Sequence, residues 1–159
     1  MPSRILLVDP NASWLESARR AVSDTVTLST FTEFGKARAQ ILKSRPHLVA
    51  TNLRLGAYNG LHLVHLVASL DSDTRCIVFS DRPDLGLIRE AQQAGAFFET
   101  ADAVPHALAS YVRATLPDRD RRTADRADRR AIRRGGRRAA DALALGLASD
   151  DGGQLSSVS

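Results

Sequence analysis

Cysteine occurs once in the 159 residues, as Cys76, so no internal disulfide can staple this chain. The lone thiol opens the apolar stretch CIVF and is expected to be a buried sulfur in a cytoplasmic protein. Aromatic residues are scarce at 5%, with a single tryptophan, and none follows Tyr111. No apolar run approaches the roughly 20 residues of a membrane span, so no membrane association is expected. The opening MPSRILLVDP has no cleavage-site pattern and is read as lacking a secretion signal. Nucleophile elbow, dinucleotide fingerprint and phosphate-binding loop are all missing, so neither an enzyme nor a cofactor is expected. His62 and His65 stand three apart on one segment, but no Cys, Asp or Glu lies near enough in sequence to complete a metal site.

Lysine and glutamate are absent after Pro117, where the composition changes character. Up to Leu116 the charges nearly balance, with 12 Lys and Arg against 11 Asp and Glu. Residues 117–159 hold 10 arginines against 7 aspartates, so the basic excess belongs to this segment. The division expected is a folded body, 1–116, and an arginine-rich tail, 117–159, ending in Gly and Ser and disordered or partly helical.

The body alternates two periodicities. RILLVD (4–9) reads as a buried strand. Asn11 or Ser13 can cap a helix through about Ser23, with Trp14, Leu15, Ala18 and Val22 on one face. VTLST (26–30) is a weaker strand, and Thr32 can cap a helix carrying Phe34, Ala37, Ile41 and Leu42 that stops before Pro46. HLVAT (47–51) is the third strand and ends at Asn52, where a loop with Gly56 and Gly60 leads into the helical LHLVHLVASL (61–70). RCIVFS (75–80) is the fourth strand, and residues 84–95 form a helix closed by a C-cap glycine. AFFE (96–99) is the fifth strand, followed by a helix over 104–116 with Pro105 in its first turn.

Five strands separated by helices must run parallel, with right-handed crossovers covering both faces. The expected architecture is α/β, a doubly wound five-stranded parallel sheet of flavodoxin-like strand order 2-1-3-4-5. Function is then expected at the carboxyl ends of strands 1, 3 and 4, which carry Asp9, Asn52 and Ser80.

PHLVATNLRLGAYNGLHLV resembles a pattern of Pro-Asp, apolar strand, Asp, Leu-x-Leu-Pro, x-x-Asp-Gly, Leu. RILLVDPN and IREAQQAGAFF add an opening strand with an acidic end and a helix-to-strand passage with Ala-Gly-Ala. Over about residues 4 to 116 the chain resembles the receiver domain of two-component response regulators. The resemblance implies a strand-3 aspartate that accepts a phosphoryl group, two acidic residues holding Mg²⁺, a hydroxyl ending strand 4 and a lysine after strand 5. In this sequence the matching positions carry Asn52, Asp9 followed by Pro10, Ser80, and Ala101 or Asp102. An amide oxygen is a poor nucleophile, one carboxylate is a weak magnesium site, and nothing replaces the lysine. The expectation is a divergent pseudo-receiver with a degenerate phosphorylation pocket: Asp9, Pro10, Asn52, Ser80 and Ala101. Because an amide donates as well as accepts, Asn52 is expected to bond Asp9 directly, in a cluster with Ser80 that replaces the metal.

In such domains the fourth helix, fifth strand and fifth helix commonly meet partners. Here that face draws on Leu85, Arg89, Gln92, Phe98, Ala107, Ser110 and Tyr111, with Phe98 at the switch-aromatic position. In the tail, Asp118 with Arg122 and Asp125 with Arg129 stand at helical i,i+4 spacing, until Gly135-Gly136 breaks the run. Residues 117–138 carry 10 arginines against 4 aspartates, and RRGGRR offers Arg133, Arg134, Arg137 and Arg138 as phosphate contacts. Without an aromatic stacking surface or a reading module, any nucleic-acid binding there would not be sequence-specific. The expected function is phosphorylation-independent signalling through a protein partner or a homodimer. A nucleic-acid-associated regulator is the alternative, and a small ligand in the altered pocket is a third.

Overall fold

The computed structural model describes residues 2–70 and 72–116. Expectations for 117–159, including the four arginines of RRGGRR, lie outside the described residues. The elements run β1 (Ser3–Val8), α1 (Ala12–Ala21), β2 (Val26–Phe31), α2 (Phe34–Ser44), β3 (Leu48–Asn52), β4 (Arg54–Leu55), β5 (Tyr58–Asn59), α3 (Leu61–Ser69), β6 (Arg75–Ser80), α4 (Leu85–Gln93), β7 (Phe97–Thr100) and α5 (Val104–Arg113).

Five strands form one parallel sheet in the order β2-β1-β3-β6-β7, which is 2-1-3-4-5 among the sheet strands, as expected. Alternation along the strands splits the core in two. Leu6, Val8, Val49, Cys76 and Val78 face Ala37, Ile41, Val64 and Ile88 of α2, α3 and α4. Ile5, Leu7, Leu48, Ala50, Ile77 and Phe79 face Leu15, Ala18 and Leu108 of α1 and α5. The central strands β1, β3 and β6 thus read as continuous apolar runs because both of their faces are covered.

Local chemistry places the helix ends. Asn11 caps α1, its Oδ1 accepting from the Trp14 amide at 3.1 Å. Asp84 caps α4 by accepting from the amides of Gly86 and Leu87, so the helix proper starts one residue later than expected. At α2 the expected Thr32 cap is replaced by Glu33, whose carboxylate meets Lys36 Nζ at 2.8 Å instead of capping an amide. Gly95, at φ 94°, takes the left-handed turn after α4 that a side chain would strain. The small β4–β5 hairpin, two residues per strand, was not anticipated; it is too short to show any periodicity.

Candidate functional site

Parallel strands bring their carboxyl ends to one side of the sheet, and the crossover reversal beside β1 and β3 leaves a crevice there. Asp9 directly follows β1, and Asn52 ends β3. Both are buried, and Asn52 Nδ2 donates to Asp9 Oδ2 at 2.8 Å. Asp9 Oδ1 accepts from the Asn11 amide at 2.7 Å, while Asn52 Oδ1 accepts from the Arg54 amide at 2.9 Å. A carboxylate on one side and a backbone N–H on the other admit only one orientation of the Asn52 amide, nitrogen toward Asp9. An aspartate in its place could not donate to Asp9.

The hairpin is pinned onto this strand end. The Gly60 amide donates to the Leu53 carbonyl at 2.9 Å, and a Cβ at Gly60 would lie 2.3 Å from the Asn52 carbonyl oxygen. Only glycine allows that approach. On the far side, the Leu53 amide donates to the Phe79 carbonyl at 2.9 Å, extending the β3–β6 ladder one residue past the strand.

Ser80 corrects the expected three-member cluster. Its hydroxyl donates to the Arg82 carbonyl at 2.8 Å and accepts from the Arg82 amide at 3.1 Å, closing its own turn after β6. The cluster is therefore the Asp9–Asn52 pair. Pro10 is exposed and adds no carboxylate. Asp9, Pro10, Asn52, Arg54, Asp81 and Ala101 border an open cleft of about 260 Å³, which also touches Asn11 and Trp14. Trp14, expected on the apolar face of α1, stacks on Phe79 at 5.0 Å and borders the cleft half-buried. Sequence reasoning missed Trp14, Arg54 and Asp81 here. Arg54 and Asp81 each lie within two residues of a strand end, which is the signal that could have found them.

The residues do not fit a magnesium ion of the kind the resemblance implied. Asp9 is the one carboxylate at the strand-1 end, and with each oxygen accepting one protein N–H it supplies too few anionic oxygens for an octahedral ion. Among the described residues no three His, Cys, Asp or Glu side chains converge as a metal-ligand group. Ala101 lines the cleft and Asp102 beside it is exposed, and neither carries a cation.

The expected partner face is partly internal. Gln92 is buried, and neither its amide oxygen nor its nitrogen has a hydrogen-bond partner. Tyr111 is buried too, its ring edge-on to Phe97 at 5.6 Å and its hydroxyl donating to Glu99 Oε1. Gln92 lies on the buried side of α4 with Ile88 and Ala91, and Tyr111 on that of α5 with Val104 and Leu108. Leu85 and Ser110 are exposed, while Arg89, Phe98 and Ala107 are half-buried. His65 Nε2 lies 3.5 Å from Glu90 Oε1 in an exposed contact between α3 and α4.

No protein-family model matches the sequence, and a search of the curated proteins finds no match. Solved structures do match. A CheY-like response regulator receiver domain from Methanospirillum hungatei is 19% identical, at a TM-score of 0.64 over 70% of this chain and 91% of its own. A LuxR-family two-component response regulator from Aurantimonas is 22% identical, at a TM-score of 0.60 over 74% and 92% respectively. This chain has the receiver fold. A response regulator from Burkholderia pseudomallei with a phosphorylated aspartic acid, a calcium ion and citrate has the same fold at 15% identity, with a TM-score of 0.63 over 82% of this chain and 74% of that chain. No helix among the described residues is long and apolar enough to cross a membrane.

Proposed function

We propose that this chain is a pseudo-receiver: a cytoplasmic two-component-type signalling module that works through protein contacts without aspartyl phosphorylation. The observation that carries this reading is the hydrogen bond from Asn52 Nδ2 to Asp9 Oδ2 at the end of β3. It gives the strand-3 position a neutral donor where phosphoryl transfer needs a carboxylate nucleophile. It also ties Asp9 without a metal, so the pocket is held in one state by the chain's own groups. With Ala101 in place of a lysine, charge on a transferring phosphoryl group would meet no fixed cation after β7. The surface proposed for contact with a signalling protein or a second copy is the α4–β7–α5 face, which carries Leu85, Arg89, Phe98 and Ser110.

A backbone-amide NMR titration with Mg²⁺ and beryllofluoride, wild type beside Asn52→Asp, tests this. Wild type is expected to show no saturable shifts at Asp9, Asn52 and Ser80. Saturable shifts there, spreading to Phe98 and Tyr111, would show a working phosphorylation switch and overturn the reading.

A nucleic-acid-associated regulator is the second reading, favoured by the 10 arginines against 4 aspartates in residues 117–138. Retention on duplex DNA whose affinity falls steeply with added salt, and equally for unrelated sequences, is its signature. Absence of retention at low salt would remove it.

A further inference from the structure

Asp9 is the one acidic or basic side chain buried among the described residues. Each of its carboxylate oxygens accepts one N–H, and each retains a second lone pair. No Lys, Arg or His of the described residues pairs with it. A desolvated carboxylate without a counter-charge, bordering an open cleft, is an attractive site for a cation. Asp81 adds a second carboxylate at the exposed rim, and the half-buried indole of Trp14 adds an aromatic wall. Arg54 is the single cation on the lining.

We propose that this cleft binds a small planar cation, a guanidinium or amidinium group, with Asp9 as buried anion, Asp81 as rim anion and Trp14 as stacking surface. A guanidinium presents parallel N–H groups that match a carboxylate, and its flat face suits an indole. An ammonium offers neither the fork nor the plane. A metal ion would find too few anionic oxygens. The cleft, about 260 Å³, falls below the usual volume of drug-sized sites, which limits the ligand to a head group on a short stem. The proposal rests on the reading that this pocket is not a phosphoryl-transfer site. The guanidinium could belong to a free metabolite or to an arginine side chain, and the test separates the two.

Trp14 is the only tryptophan of the chain, so fluorescence excited selectively at tryptophan reports on the residue that borders the cleft. Titration with agmatine is expected to give a saturable change in the millimolar range. Asp81→Asn should raise the half-saturating concentration about tenfold, the scale of one charge-assisted hydrogen bond. Asp9→Asn should abolish the change, and Asp24→Asn, on a remote exposed aspartate, should leave it intact. If Asp9→Asn fails to fold, Asp81→Asn decides the matter. Binding of N-acetyl-arginine amide as well as agmatine extends the site to arginine side chains, and binding of agmatine alone confines it to a free ligand. Lack of saturation, an equal response to putrescine or inorganic phosphate, or an unchanged response in Asp81→Asn would overturn the proposal. Beryllofluoride with Mg²⁺ in the same assay separates the two failures. A response to it would overturn the phosphorylation-independent reading as well, whereas silence toward both beryllofluoride and agmatine would sink the cation site alone.

Discussion

The two ends of the sheet use polar groups in opposite ways. At the amino end they close the structure upon itself. His47 Nδ1 accepts from the Arg4 amide at 2.9 Å, and the His47 amide donates to the Arg4 carbonyl, so a side chain extends the β1–β3 ladder. Thr74 Oγ1 donates to the Pro46 carbonyl at 2.7 Å, and Arg75 Nη1 donates to the Tyr111 and Ala114 carbonyls at the end of α5. At the carboxyl end, Asp9 and Asn52 bond each other and still have capacity facing an open cleft. One end spends its hydrogen bonds on architecture, and the other keeps some free, which is what a site requires.

The largest expected effect probes how rigidly the carboxyl end is fixed. Gly60→Ala places a methyl 2.3 Å from the Asn52 carbonyl oxygen and 3.1 Å from Thr51 Cγ2, so backbone must move on one side or the other. A loss of about 3–5 kcal/mol in urea unfolding is expected, at the upper end for overpacking because the neighbour is main chain. A loss below about 1 kcal/mol would mean that the hairpin swings away freely and does not hold the strand end.

Asn52→Asp sets a carboxylate 2.8 Å from Asp9 and removes the donor between them. A loss of about 2–3 kcal/mol near neutral pH follows, from a broken buried bond and like-charge repulsion. The variant, unlike wild type, should regain part of that stability when millimolar Mg²⁺ is added, since two carboxylates can share a divalent ion. Equal response of both proteins to Mg²⁺ would show that the amide does not stand in for a metal.

At the amino end, Arg75→Met keeps the aliphatic stem and deletes the bonds to the α5 carboxyl terminus. Two charge-assisted bonds of a half-buried arginine put the loss at about 1–3 kcal/mol. The comparison sharpens if agmatine binding is unchanged in this variant, because the cleft and this anchor lie at opposite ends of the strands.

The strands and the site differ in how far they could be read from the chain. RCIVFS was expected as a strand over 75–80 and is one, because an uninterrupted apolar run buried on both faces leaves no competing periodicity. Asn52 was placed at the end of the third strand, and its bond to Asp9 was expected from the donor chemistry of an amide. Ser80 was assigned to the same cluster, yet its hydroxyl turns to Arg82. A serine two residues before a free amide closes its own turn more readily than it reaches across a sheet end. Tyr111 was assigned to the partner face, although its spacing from Val104 and Leu108 along α5 already put it on the buried stripe. What escaped the sequence was decided by side-chain direction, which strand and helix periods constrain only coarsely.

The smallest expected effect sits one residue from Arg75. Burial raises the Cys76 thiol from its ordinary value near 9.0 to about 12. A thiol whose folded pKa is raised adds full stability below the unfolded value and loses it as pH climbs toward the folded one. Between about pH 9 and 12 the unfolded chain gives up the proton while the folded chain keeps it, so unfolding is favoured by up to 1.4 kcal/mol per unit. At pH 10 the loss attributable to Cys76 is therefore about 1 kcal/mol relative to pH 8, and it should vanish in Cys76→Val. The measurement is the difference in urea midpoint between the two proteins at each pH, which cancels the titration of every other group. In wild type the thiol should also stay unreactive toward alkylating reagents until the fold opens. Fast alkylation under native conditions, or parallel pH profiles for the two proteins, would show that water reaches the amino end of β6. The contrast between a closed amino end and an open carboxyl end would then fail at a buried core residue.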